Sequence, residues 1–184
     1  MAGVIAALRE KEWVAVKITQ NGHGICSAHG SECDCVADDP NCPYVVTREV
    51  DATSGTDTSR FLQAGAADVY WVRTRVGELD TALPVLHQIL NKREFIIIES
   101  NSILRFLEPN IYLPVLRFEV EDFKLSSKIY FNRADAYAVV GTPENGANWT
   151  GVDLGLLKRR PVFPIAPPEY FSPSIEQFFS QRLK

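Results

Sequence analysis

Short apolar segments that alternate with helical segments constrain the fold of this chain more than any other feature. Trp13–Ile18, Phe95–Ile98 and Ala136–Val140 are runs of strand length with little polar relief. Strands that are apolar on both faces are typical of a parallel sheet covered by helices. The alternation therefore predicts an α/β fold with three layers, in which a mainly parallel sheet has helices on both faces.

Individual elements follow from the hydrophobic period and from signals at helix ends. Ser54 and Asp57 fit a capping box before one helix, and Gly65 suits the position after its end. Pro84 is expected near the first turn of its helix, because proline breaks a helix interior. The predicted helices are residues 1–12, a segment from the Ser54 cap to about residue 64, 80–92 and 174–183. The predicted strands are residues 13–18, 69–74, 95–98, 111–118, 136–140 and 162–165.

Length and composition favour one domain over residues 1–184. The chain is 46% hydrophobic and 23% charged, as is usual for globular proteins. Its net charge of −4 gives no broad attraction for nucleic acid or an anionic membrane, so we expect neither as a partner. No apolar run is long enough to span a bilayer and no signal-peptide pattern opens the chain, so a cytoplasmic location is expected.

All four cysteines fall in one polar segment, at Cys26, Cys33, Cys35 and Cys42. Four thiolates in a loop rich in glycine and aspartate are what tetrahedral zinc or an iron–sulfur cluster requires. The segment has few apolar residues to fix its own shape, so a bound metal would order it. We therefore predict a metal site, zinc or iron–sulfur, in a cysteine-rich loop insertion at about residues 20–46.

The cysteine cluster is also compatible with arrangements that hold no metal. Six, one and six residues separate the cysteines, which differs from the common paired C-x2-C signature. Two disulfides, one redox-active disulfide or unpaired thiols are alternatives, although cytosolic thiols stay reduced. His23 and His29 lie in the same segment and could replace one or two thiolates as metal ligands.

Polar residues that follow the predicted strands indicate where a ligand would bind. Ligands of parallel sheets bind at the carboxyl ends of the strands. That rule draws attention to Lys17, Asp51, Thr74, Glu99 and Gly141.

Several of these residues belong to a recognisable pattern. VAVKIT followed by NGHG, then DATSGTDTSRFLQAGA and FIIIES, resembles the molybdopterin-guanine dinucleotide biosynthesis adaptor family of P-loop NTPases. ADAYAVV is similar to a late strand of that family, so the resemblance covers roughly residues 1–141. The matching positions are Lys17, His23, Asp51, Gly55–Thr58, Ala64–Ala66 and Glu99.

The resemblance implies a nucleotide site and a role for each matching residue. Glu99 and Asp51 would be the catalytic carboxylates, which hold Mg²⁺ or orient water. Lys17, Asp57 and Thr58 would bind the cofactor, ATP or GTP with magnesium, although Asp57 and Thr58 also suit helix capping. The implied partner is a molybdenum-cofactor or metalloenzyme maturation protein, and a homodimer is a further expectation.

The chain also departs from that family. The family carries a G-x-x-x-x-G-K-[S/T] phosphate loop before its first helix, whereas no such motif occurs here. We expect a start upstream that supplies the first strand and the loop. The alternative is a genuine loss, which would leave a non-catalytic metal-binding or interaction protein on the same scaffold. The cysteine cluster is a second departure, and Cys33-Asp34-Cys35 is only loosely similar to Cys-x-Cys sites of metallochaperone relatives.

Overall fold

The computed structural model describes residues 1–21, 43–120, 125–142, 149 and 151–183. The chain divides into two compact units, Met1–Phe106 and Leu107–Lys184. Both units combine helices with parallel strands, so the predicted α/β class is confirmed. The prediction of one domain over the whole chain stays a prediction.

In its described residues, 1–21 and 43–106, the first unit contains a four-stranded sheet and three α-helices. Its elements are α1 Ala2–Ala7, β1 Val14–Asn21, β2 Tyr44–Arg48, α2 Asp57–Ala64, β3 Asp68–Arg75, α3 Leu83–Leu90 and β4 Ile96–Glu99, with 3₁₀ turns at Arg9–Lys11, Leu79–Ala82 and Ser102–Arg105. The strand order is β2-β3-β1-β4. Strand β1 pairs in parallel with both β3 and β4, whereas β2 pairs antiparallel with β3.

The middle of the sheet is buried on both faces. Val14, Ala15 and Val16 succeed one another along β1, so they alternate between the two faces, and all three have no exposed surface. Their burial explains why the Trp13–Ile18 run is almost continuously apolar. Lys17 is the exception in this stretch.

Helix α2 has a defined start and end. The side chain of Thr56 accepts a hydrogen bond from the backbone N–H of Ser59 at 3.1 Å. The prediction that Ser54 caps this helix is therefore wrong by two residues, because the next hydroxyl along the chain reaches the free N–H group. Gly65 follows the helix with φ +102°, a left-handed conformation that favours glycine, so that prediction is confirmed.

Strand β2 was not predicted. The expected loop ran to about residue 46, yet Tyr44–Arg48 forms the antiparallel edge of the sheet, and β1 continues to Asn21. The aromatic and β-branched residues of the sequence YVVTR favour an extended strand. The first sheet is therefore mixed, with three parallel strands and one antiparallel edge strand.

The second unit has its own three-stranded sheet, in which all strands are parallel. Its elements are β5 Val115–Arg117, α4 Leu125–Tyr130, β6 Tyr137–Val140, β7 Val162–Pro164 and α5 Pro173–Arg182, with 3₁₀ turns at Phe131–Arg133 and Leu154–Lys158. The rings of Phe118 and Trp149 stack at 4.9 Å in its core. The buried Tyr137 hydroxyl donates to the carbonyl of Phe131 at 2.8 Å. The strands predicted near residues 136–140 and 162–165 are thus confirmed.

Candidate functional site

One row of side chains crosses the first sheet from edge to edge. Lys17 is in register with Glu99 of β4 on one side and with Trp71 of β3 on the other. Trp71 is in turn in register with Thr47 of β2. Residues in register on neighbouring strands point to the same face, so these four, called here the Lys17 row, share one face of the sheet.

Lys17 is held by an ion pair with the first residue of helix α2. Its ammonium group donates to the Oδ2 atom of Asp57, and the two side chains are 20% and 45% exposed. This partner offsets the cost of a half-buried lysine in an apolar strand. The hydrogen bond from Lys17 also lowers the pKa of Asp57, although desolvation opposes that shift. Lys17 was expected at a strand end, but it is an internal residue of the eight-residue β1.

Glu99 is exposed and lies beside Lys17 on the neighbouring strand. It is the last residue of β4, as the sequence predicted for a carboxylate beyond a buried strand. Burial lowers the pKa of the Met1 amino group, and the nearby carboxylates of Glu99 and Asp57 oppose this shift. Because Lys17 is in register with Glu99 and paired with Asp57, these three residues form one polar group on this face, which we call the Lys17 cluster.

Asp51 makes its hydrogen bonds within its own turn. Its Oδ1 atom accepts from the backbone N–H of Thr53 at 2.7 Å and from the Thr53 hydroxyl at 2.6 Å. These hydrogen bonds, that of the hydroxyl first, lower the pKa of the exposed Asp51 carboxyl. The geometry is that of a turn residue, and the catalytic role that the sequence suggested stays a prediction.

Glu49 organises the segment that precedes helix α2. Its Oε2 atom accepts from the hydroxyl of the buried Thr58 at 2.8 Å, and its Oε1 atom accepts from the N–H groups of Val50 and Asp51 at 3.1 Å each. The bond from Thr58 is the largest of several effects that lower the pKa of Glu49. The sequence analysis did not identify Glu49 as a functional residue. The one feature that could have indicated its role is the position of this acidic residue just before the hydroxyl-rich stretch DATSGTDT.

Thr58 therefore has an internal partner. The sequence predicted that it would bind a cofactor, yet its side chain is 2% exposed and its hydroxyl is used by Glu49. This hydrogen bond links the first turn of α2 to Glu49, the residue that follows β2. Its cofactor-binding role stays a prediction.

Arg73 and Trp71 form a second polar group on the face of the Lys17 row. The guanidinium carbon of Arg73 lies 4.5 Å from the centroid of the Trp71 ring, and its Nη2 atom donates to the Thr47 hydroxyl at 2.6 Å. The indole N–H of Trp71 donates to the Thr19 hydroxyl at 2.9 Å. The sequence suggests a packing role for Trp71, and for Arg73 and Arg75 it suggests either contact with an anionic ligand or a surface position. It did not single out the contact between Arg73 and Trp71.

The predicted metal site lies outside the described residues. Cys26, Cys33, Cys35 and Cys42 all fall between residues 22 and 42, as do His23 and His29. Across the described ranges, no group of three or more His, Cys, Asp or Glu side chains could hold a metal ion. The carboxylates of Glu99 and Asp57 are a smaller set, and a Mg²⁺ ion held by one or two carboxylates usually completes its coordination with waters and phosphate oxygens.

Comparison with known proteins adds no relative. Neither the models of protein families, nor the curated proteins, nor the solved structures give a match to this chain. Each helix in the described part of the chain is too short or too polar to cross a bilayer.

Proposed function

We propose that this protein is a P-loop NTPase-like protein related to the molybdopterin-guanine dinucleotide biosynthesis adaptors. In this proposal it binds a purine nucleotide with Mg²⁺ and couples binding to the handling of a molybdenum cofactor or a metal. The observation that carries the proposal is the Lys17 cluster. Lys17 is in register with Glu99 and paired with Asp57, and all three occupy positions of the family-like pattern.

The chemistry of the Lys17 cluster suits a magnesium-bound polyphosphate. Mg²⁺ is usually held by one or two carboxylates together with phosphate oxygens and waters. The exposed Glu99 offers a carboxylate for this role or for orienting a water molecule. Lys17 carries three N–H donors, of which Asp57 uses one, so the ammonium group keeps donors for an anionic oxygen.

A three-layer arrangement of the first unit is part of the proposal. Asp57 at the start of α2 contacts Lys17, whereas Lys92 just after α3 donates to the hydroxyl of Tyr70. Tyr70 is in register with Val16, so it points to the face opposite Lys17. Helices on both faces of a largely parallel sheet are the arrangement that the resemblance implies.

The expected nucleotide affinity is low. Most affinity in P-loop proteins comes from backbone N–H groups and a lysine of the G-x-x-x-x-G-K-[S/T] loop, and the chain has no such motif. Without magnesium, the carboxylates of Glu99 and Asp57 would repel a polyanion. We therefore expect a dissociation constant no tighter than about 1 mM, roughly −4 kcal/mol.

Calorimetry with ATP and GTP, with and without Mg²⁺, tests the proposal. Wild-type protein should bind weakly, Mg²⁺ should strengthen the binding, and Glu99→Gln should abolish the Mg²⁺-dependent part of the signal. Glu94→Gln is the matched control, because Glu94 is an exposed glutamate that precedes β4 by two residues, whereas Glu99 ends that strand. Mg²⁺-dependent binding that survives Glu99→Gln, or binding that Mg²⁺ does not strengthen, contradicts the proposed site. Micromolar binding would mean that the phosphates are held elsewhere.

A second candidate function rests on the cysteine cluster. Four cysteines in one short segment favour a non-catalytic metal-binding or interaction protein on the same scaffold. If this second function is correct, the purified protein should contain bound metal, and it should not bind ATP or GTP at any Mg²⁺ concentration. Nucleotide calorimetry and the metal content of the protein therefore separate the two candidates.

A further inference from the structure

The carboxyl half of β3 presents two arginines on one face of the sheet. Arg73 and Arg75 are two and four residues beyond Trp71, so they point to the same side as the Lys17 row. Thr19 of β1 is in register with Arg73, and its hydroxyl already holds the Trp71 indole. The face therefore carries two cations, an aromatic ring and hydroxyl groups close together.

These arginines lack acidic partners within the described ranges. In the part of the chain that the structure describes, no carboxylate forms an ion pair with Arg73 or Arg75. The Nε atom of Arg73 is buried and has no hydrogen-bond partner among the same residues. Arg48 on the opposite face differs, because it pairs with Asp68 at 2.6 Å. A buried guanidinium N–H group without an acceptor is unfavourable, so the environment of Arg73 in the described residues leaves part of its hydrogen-bonding capacity unused.

The guanidinium of Arg73 is also preorganised. Its central carbon lies over the ring of Trp71, and one of its nitrogens donates to the hydroxyl of Thr47. A guanidinium held in this way presents a rigid fork of N–H donors, which matches the oxygens of a phosphoryl group. Lys17 lies diagonally opposite Arg73 on the adjacent strand and on the same face of the sheet.

We propose that Arg73, supported by Trp71 and assisted by Arg75, binds a phosphoryl group of an anionic ligand at the carboxyl end of β3. The site goes beyond the proposed function, because it uses neither Glu99 nor Asp57 and requires no Mg²⁺. The ligand class is a phosphate ester or a diphosphate.

Titration of the full chain with inorganic pyrophosphate in EDTA, at constant ionic strength, tests this site. Because Arg73 stacks on Trp71, binding should change the indole fluorescence and should saturate, and calorimetry should give the same dissociation constant. Arg73→Gln should weaken binding at least tenfold. Arg48→Gln, which removes an arginine from the opposite face of the sheet, should leave affinity within twofold.

Three results would overturn the proposal: wild-type protein that shows no saturable binding, Arg73→Gln that binds as well as wild type, or Arg48→Gln that weakens binding equally. If Arg73→Gln fails to fold, Arg73→Lys is used to test the site. This variant keeps the positive charge but replaces the planar guanidinium and its paired N–H donors with an ammonium group. Severalfold weaker binding by Arg73→Lys supports the site, and unchanged affinity overturns it. Glu99→Gln should bind pyrophosphate normally, which separates this site from the magnesium-dependent one.

Discussion

Lys17 of β1 is in register with Glu99 of β4, yet its ammonium group pairs with Asp57 of helix α2. The ion pair joins the middle of the sheet to the first turn of the helix. It therefore helps to position the start of α2 on this face of the sheet. The exposed carboxylate of Glu99 lies beside Lys17, whose ammonium group is already paired with Asp57. Lys17 thus has a structural role whatever ligand the protein binds.

Replacing Lys17 with methionine should destabilise the first unit in a pH-dependent manner. We expect the free energy of unfolding at pH 7 to fall by about 1 kcal/mol, a modest value because Asp57 is half-exposed and can be rehydrated. The pKa of Asp57 is lowered in the folded state, chiefly by Lys17. Its contribution to stability is therefore present above the ordinary pKa of an aspartate and is lost as the pH falls through the folded value.

Urea denaturation at several pH values measures this effect. The difference between wild type and Lys17→Met should be constant near neutral pH and should shrink in acid. Arg60→Met is the control, because Arg60 is more exposed and lies 3.4 Å from the other oxygen of Asp57. It should cost less than about 0.5 kcal/mol. A Lys17→Met difference that grows as the pH falls would contradict the ion pair.

The sequence predicted those elements whose ends are marked by individual residues. It did not predict features that depend on contacts with segments distant in the chain. Gly65 and Pro84 carry conformational limits of their own, so both were placed correctly. Strand β2 was missed because the polar, cysteine-rich segment before Tyr44 favoured a loop that extends to about residue 46.

The same distinction applies to the candidate site. Glu99 was predicted at the end of a short apolar strand, and its position there is confirmed. Trp71 and Arg73 are two residues apart on one strand, so the period of a strand is enough to place them on the same face. The hydrogen-bond partners of Lys17 and Arg73, which are Asp57 of α2 and Thr47 of β2, depend on how the elements pack together. Local periodicity does not specify that packing, so these two contacts were not predictable from the chain alone.

Thr56 rather than Ser54 should determine the stability of the start of α2. Thr56→Ala removes the oxygen that accepts from the Ser59 N–H, so we expect a loss of about 1 kcal/mol in the free energy of unfolding. Ser54→Ala removes only an exposed hydroxyl that contacts Thr56 at 3.0 Å, and it should cost less than about 0.5 kcal/mol. Thermal denaturation of both variants checks the assignment, and the reverse order would restore Ser54 as the cap.

Gly65 should tolerate alanine less well than Gly77, although both have positive φ angles. A Cβ atom at Gly65 would lie 2.8 Å from the Nε atom of Arg9, which donates to the carbonyl of Ala64. A Cβ atom at Gly77 would meet no atom within 4 Å. We expect Gly77→Ala to cost about 1 kcal/mol for backbone strain and Gly65→Ala to cost about 2 kcal/mol, since Arg9 must also move.

Denaturant unfolding of the two glycine variants measures the difference. Arg9→Ala combined with Gly65→Ala serves as the control, because removal of the arginine relieves the steric clash. The double variant should therefore lose less than the sum of the two single losses. Equal losses for Gly65→Ala and Gly77→Ala would show that Arg9 yields without cost.

The cysteine segment should bind one metal ion or cluster per chain through Cys26, Cys33, Cys35 and Cys42. A coordinated structural ion can contribute on the order of 10 kcal/mol to ordering a polar segment, so metal should co-purify with the protein under anaerobic conditions. Elemental analysis for zinc and iron checks the stoichiometry and the identity of the metal. Removal by a chelator should expose four thiols to a thiol reagent, because thiolates bound to metal react slowly.

Variants of the cysteine segment distinguish its ligands. Replacing any one of the four cysteines with serine should lower the metal content well below one equivalent, since a structural site needs its complete set of ligands. His23→Ala and His29→Ala should leave the metal in place if the thiolates are the whole set, whereas a loss would assign that histidine as a ligand. Folded protein that contains substoichiometric metal and four freely titrating thiols would show that the cluster is not a metal site.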